Sequence, residues 1–171
     1  MAEEITVQDR EEQPALCISE KVGTMKLGKV MGPAYESIME LLKRQNTPTT
    51  EKDIPFTLYK HIIWDDLDKK GLFAFIHMMF LHKWDMDIGI PCPESATGEG
   101  RIKKMKLAAG RFIRTVHRGP YMKVGDTYKK IRLYAAEKSL KLNNYSIEFY
   151  LNDPRETPSS ELETEVLVPI A

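Results

Sequence analysis

The sequence has little cysteine. Cys17 and Cys92 stand far apart, with no C-x-x-C element, so a disulfide framework and a zinc or redox motif of that kind are excluded. A reducing cytoplasm is the expected compartment. Long apolar runs are also missing. The longest, Leu72 to Leu81, is broken by His77 and falls short of the roughly 20 residues a membrane helix needs. Membrane partners are therefore not expected. The first fourteen residues are acidic and lack the apolar core of a signal peptide. They read as a mobile tail, 1–14. Net charge is absent too: Lys plus Arg is 25 and Asp plus Glu is 25, which argues against a chain-wide nucleic-acid coat.

Local charge is present. Residues 101–141 hold thirteen basic side chains against Asp126 and Glu137 alone. A basic stripe suits phosphate, but no reading helix or stacking sheet accompanies it. It reads as a solvated face, and direct nucleic-acid binding is not expected. At 171 residues, with 42% hydrophobic and 29% charged side chains, the chain supports one globular domain, 15–171.

An internal repeat organises that domain. Val30-Met31-Gly32-Pro33-Ala34-Tyr35 matches Val116-His117-Arg118-Gly119-Pro120-Tyr121. Downstream, Phe56-Thr57-Leu58-Tyr59 matches Ile147-Glu148-Phe149-Tyr150. Asp85 to Pro91 matches Glu163 to Pro169. Repeat one spans 15–92 and repeat two 101–171, joined by a Gly-, Ser- and Pro-bearing linker. The first copy is longer, and its excess falls in an insert, 65–83.

Each copy reads strand, helix, strand, strand. Opening strands are expected at Ala15–Glu20, with a continuation over Lys26–Val30, and at Arg111–His117. Proline suits a first helical turn, since its fixed φ fits and its missing N–H lacks a partner there anyway. Helices are therefore predicted over 33–44 and 121–140, and strands over 56–64 and 146–151. The closing segments alternate apolar and acidic residues, which gives one buried and one wet face. The fold class is α+β: two βαββ repeats about a pseudo-twofold, with two helices on one face of an antiparallel sheet.

Several familiar motifs fail. Gly23, Gly28 and Lys29 begin like a phosphate loop, but Val30 stands where a hydroxyl must hold magnesium. Asp66 to Gly71 mimics a calcium loop, yet Lys70 replaces a ligand and His77 stands where a bidentate Glu belongs. His77 and His82 are five apart, so one helix face does not carry both, and no zinc set converges. No metal or cofactor is expected.

Glu148 is the informative residue. It sits in mid-strand among Ile147, Phe149, Tyr150 and Leu151, sharing a face with Tyr150. In the matching strand Thr57, Tyr59 and His61 share a face. Repeat symmetry places Tyr59 and Tyr150 on a groove between copies. Two tyrosines and a carboxylate suit a cationic or lipophilic aromatic ligand through cation–π contact and charge. The acid also suits general acid/base chemistry. The candidate ligand-binding set is Glu148, Tyr150, Tyr59, Thr57, His61, Tyr121, Tyr35 and Trp64, with Glu148 the one catalytic candidate.

Three ordered segments carry a resemblance: Arg114 to Tyr121, Tyr145 to Pro154 and Glu161 to Pro169. Together they resemble the GyrI-like (gyrase-inhibitor-like) small-molecule-binding domain, the effector-binding module of AraC- and MerR-type regulators. The resemblance implies a ligand cleft between the copies and places the family's pocket acid on Glu148. Nothing matches a helix-turn-helix, so a stand-alone member is implied. Three functions follow from it: binding of lipophilic or cationic small molecules for sensing or sequestration, hydrolysis of strained cyclopropanoid electrophiles through Glu148 and pocket tyrosines, or modulation of DNA gyrase. Thr57 offers no second acid. The insert's apolar residues, among them Phe75, Phe80, Met78 and Met79, are expected to be docked, either over one cleft end or in a homodimer contact.

Overall fold

The computed structural model describes residues 4–50, 53–68 and 71–171. Lys69 and Lys70 of the calcium-loop look-alike, Glu3 of the acidic start and the Phe75 side chain lie outside what it describes.

Eight strands form one antiparallel, curled sheet. In chain order they are β1 (Thr6–Arg10), β2 (Gln13–Gly23), β3 (Phe56–Lys60), β4 (Lys83–Pro91), β5 (Lys103–Leu107), β6 (Gly110–Arg118), β7 (Ser146–Tyr150) and β8 (Glu163–Pro169). Their spatial order is β1-β6-β8-β7-β3-β4-β2-β5. That order reads alike from both ends: β2, β3 and β4 mirror β6, β7 and β8 about the β3–β7 pair. Helices α1 (Leu27–Arg44) and α3 (Val124–Glu137) follow β2 and β6. The two βαββ units expected from the repeat are present in this arrangement.

The outer strands lock the halves together. β1 pairs with β6, and β5 pairs with β2. Arg10 lies opposite Gly110 and Gln13 opposite Leu107, so the register passes the corner without a slip. Segments 6–23 and 103–118 are thus two long bent antiparallel strands. Each runs from an edge strand on one side of the sheet to the strand next to the opposite edge. The expectation of a mobile tail over 1–14 is corrected here: Thr6–Arg10 form a sheet strand. Ile5 and Val7 pack on the α3 core, and Arg10 bonds Glu165 at 3.1 Å with its guanidinium 5.1 Å from the Phe149 ring.

Strand alternation splits the interior in two. On the helix side α1 packs Ile38, Leu41 and Leu42 over Leu16, Met86, Ile88 and Ile90, and α3 packs Tyr128, Ile131 and Ala135 over Ile113, Val166 and Val168. On the other side the curl brings Phe56, Phe112, Ile147, Phe149 and Leu167 into a core of their own. The central strands are therefore covered on both faces.

Two helix predictions need correction. α1 starts at Leu27, not Pro33, and Lys26–Val30 is turn and helix rather than strand. Pro33 lies inside α1, where it removes one backbone donor. It is tolerated because Gly32, Pro33 and the preceding Lys29 face water. The second helix is split: a 3-10 turn over Tyr121–Lys123 precedes α3. The strand expected over 56–64 stops at Lys60, because His61 takes φ +56° and breaks the ladder.

The insert is helical. It forms α2 (Leu72–Ile76) and a π-helical turn, His77–Leu81. Leu72, Phe73, Phe80 and Leu81 face water rather than a core. Among the described residues no helix is long and apolar enough to cross a membrane.

Candidate functional site

The centre of the sheet is polar on its helix side. β3 and β7 pair with Thr57 opposite Glu148 and Tyr59 opposite Ser146. Alternate residues share a face, so Thr57, Tyr59, Ser146, Glu148 and Tyr150 look toward the helices while Phe56, Leu58, Ile147 and Phe149 look away. α1 supplies Tyr35, α3 supplies Tyr128, and the turn before α3 supplies Tyr121.

These groups close around one carboxylate. Glu148 is 6% exposed. The Tyr128 hydroxyl donates to its Oε1 at 2.8 Å and the Tyr150 hydroxyl to its Oε2 at 3.2 Å. Ser146 backs Tyr128 at 2.8 Å, and the Tyr59 hydroxyl lies 3.4 Å from that of Tyr150. Tyr35 donates to the Phe56 carbonyl at 3.0 Å, with Thr57 Oγ1 at 2.9 Å. The Tyr35 and Tyr121 rings meet Tyr150 edge-on, at 6.3 and 5.5 Å. Tyr59 meets Trp84 the same way, at 5.5 Å.

No Lys, Arg or His pairs with Glu148 among the described residues. A buried charge without a counter-ion is expensive, so burial pushes the carboxyl up to about 7, and the two tyrosine donors only partly offset that. The phenols of Tyr59, Tyr128 and Tyr150 rise well above their usual range, first through burial; the acid comes next for Tyr59 and Tyr128, and for Tyr150 the neighbouring Tyr59 precedes it. They stay neutral donors. The site therefore holds a carboxyl poised near neutral pH and ringed by neutral aromatic side chains.

Six of the eight residues proposed from sequence converge here: Glu148, Tyr150, Tyr59, Thr57, Tyr35 and Tyr121. Two do not. The His61 side chain is 74% exposed and 4.0 Å from Asp85. It lines a depression of about 320 Å³ with Leu58 and Lys60, whose strand positions face away from Glu148. Trp64 donates its indole N–H to the Asn143 carbonyl at 2.7 Å and packs on Tyr128 at 5.9 Å, behind the site rather than in it. Sequence reasoning missed Tyr128, Ser146 and Trp84. Tyr128 has the spacing of an ordinary helix core residue. Only the crossing of α3 over β7 gives its hydroxyl a role.

Other chemistry is scarce. Burial and the nearby Asp87 push the Cys17 thiol up to about 11, which leaves it a poor nucleophile. Among the described residues no group of three His, Cys, Asp or Glu side chains is placed to hold a metal.

The profile of the GyrI-like small molecule binding domain matches residues 3–171. The chain belongs to the GyrI-like family. No curated protein sequence matches it. Among solved structures, the EcmrR C-terminal domain superposes with a TM-score of 0.76 at 19% identity, covering 100% of this chain and 99% of that one. Against EcmrR in its DNA complex, with the same score and identity and 98% of this chain covered, the chain spans 57% of the partner's length. A hydrolase encoded by lin2189 from Listeria innocua scores 0.68 at 12% identity, covering 98% of this chain and 91% of that one. SAV2435 bound to tetraphenylphosphonium scores 0.59 at 14% identity, covering 98% and 94%. At these identities the likenesses establish the GyrI-like fold.

Proposed function

We propose that this GyrI-like domain binds lipophilic organic cations at the seam between its halves, over Glu148. The observation that carries this reading is a 6% exposed carboxylate held by two tyrosine hydroxyls, with no basic partner among the described residues. A cation supplies the missing counter-charge, and the rings of Tyr35, Tyr59, Tyr121 and Tyr150 supply cation–π faces. Ligand entry requires Tyr121, the most exposed of the four, to swing from Tyr150. The tetraphenylphosphonium complex of SAV2435 supports the ligand class. The mirrored strand order supports reading the halves as copies of one βαββ unit. Two free, buried thiols suit a reducing cytoplasm.

The test is thermal unfolding with tetraphenylphosphonium and with a neutral aryl analogue of similar size, on wild type and Glu148→Gln. A ligand at 100 times its Kd stabilises by about 2.7 kcal/mol. The expected result is a cation shift that disappears in the variant. Equal shifts in both proteins remove Glu148 from the site.

A second reading rests on the same acid. A carboxyl near 7 suits general acid or base catalysis at neutral pH. The lin2189 likeness is to a protein described as a hydrolase. Turnover of strained cyclopropane electrophiles by wild type and not by Glu148→Gln favours hydrolysis over simple binding.

A further inference from the structure

The insert presents an apolar surface that the fold does not use. Phe73 is 88% exposed, Leu72 70%, Leu81 67% and Phe80 65%. Ile76 and Met25 add to it. Ala74, Met78 and Met79 are the half-buried side of the same segment. The exposed residues include neighbours in sequence, 72 with 73 and 80 with 81, and successive helical residues lie about 100° apart. The apolar surface therefore wraps around a knob instead of forming one flat face.

The knob is anchored from behind. Thr24 donates its hydroxyl to the Met78 carbonyl at 2.6 Å and accepts the Trp84 indole N–H at 3.0 Å. This ties the insert to the turn that starts α1. Lys26 and Lys29 stand on that turn and the first turn of α1, and Lys83 follows the Leu72–Leu81 segment by two residues, at the start of β4. All three are exposed, and none makes an ion pair with the described residues. The flanking acids differ. Asp65 lies 3.5 Å from Arg132, and Asp85 lies 3.0 Å from Lys60. The knob thus carries unpaired positive charge beside acids that are already engaged.

We propose that the insert docks this protein on an anionic lipid surface. Leu72, Phe73, Phe80 and Leu81 enter the headgroup–acyl boundary, and Lys26, Lys29 and Lys83 meet the lipid phosphates. Ten residues reach about 15 Å even as a straight helix, too short to span a bilayer, so the segment lies in the interface. A rounded apolar knob fits a deformable acyl layer better than a rigid protein face. A second copy is disfavoured, because twofold packing of the knobs brings the unpaired lysines toward one another. This surface is independent of the Glu148 site. It does place the protein where lipophilic cations concentrate.

The test is co-sedimentation of the full chain with phosphatidylcholine vesicles and with mixed phosphatidylcholine–phosphatidylglycerol vesicles. Binding to the mixed vesicles alone is expected, weakening as salt screens the lysines. Phe73→Ser with Phe80→Ser should lower the partition more than tenfold. Each of Lys26→Ala, Lys29→Ala and Lys83→Ala should lower it roughly fivefold. These positions are exposed, so the variants should keep the wild-type melting temperature. Absence of vesicle binding by wild type overturns the proposal, as does binding indifferent to the phenylalanine pair. If wild type ignores vesicles and the phenylalanine variant halves the scattering mass, a second copy covers the knob and the proposal is wrong.

Discussion

At the scale of single residues, Glu148 sets the chemistry and makes stability depend on pH in an unusual direction. Its carboxyl sits at about 7 in the folded chain against an ordinary 4.5. The folded state then holds the proton more tightly than the unfolded state. The stabilisation is fully present below about 4.5 and is lost as pH rises through about 7. Wild type should therefore lose stability between pH 5 and 8, on the order of 2–3 kcal/mol, and Glu148→Gln should not. Denaturant melts at both pH values check this. A variant that follows wild type through the whole range would place the titration elsewhere. This residue was legible in the sequence, because an acid amid apolar neighbours in a strand needs an explanation. His61 was misplaced because strand alternation was carried one residue past Lys60, where the backbone turns to positive φ. Trp64 lies beyond the same break.

At the scale of elements, close packing on the sheet face away from the helices is as exacting as the site. Gly89 lies opposite Phe56 in the β3–β4 ladder. A Cβ there would meet the Phe56 ring at 2.5 Å and the Leu16 carbonyl at 2.8 Å. The carbonyl cannot move without disturbing β2, so Gly89→Ala should destabilise by about 1–3 kcal/mol, read from denaturant midpoints. A gain in stability would mean the strand shifts freely. The repeat made the six inner strands legible, since each has a partner of like pattern in the other copy. β1 and β5 were not. Their sequences, TVQDR and KKMKL, are short and charged, as edge strands often are, and edge pairing leaves little apolar signal. The insert was legible only in part. Its apolar content pointed to burial, which composition alone cannot distinguish from an exposed interaction surface.

At the scale of the whole molecule, neither half has all its strands. β6 takes its outer neighbour from the N-terminal segment, and β2 takes its own from the start of the second half. A chain cut after Glu99 should give two fragments, 1–99 and 100–171, that do not fold singly. Mixed, they should recover the wild-type circular dichroism spectrum and co-elute. Cooperative unfolding of 1–99 alone would contradict this. The same interlocking acts on the chain as it is made. Thr6 pairs with Arg114, so β1 leaves the ribosome long before its partner. At about 5–20 residues per second the wait is roughly 5–20 s. Through that interval the first strand synthesised has no ladder to join, and it enters the sheet only after most of the chain has been made.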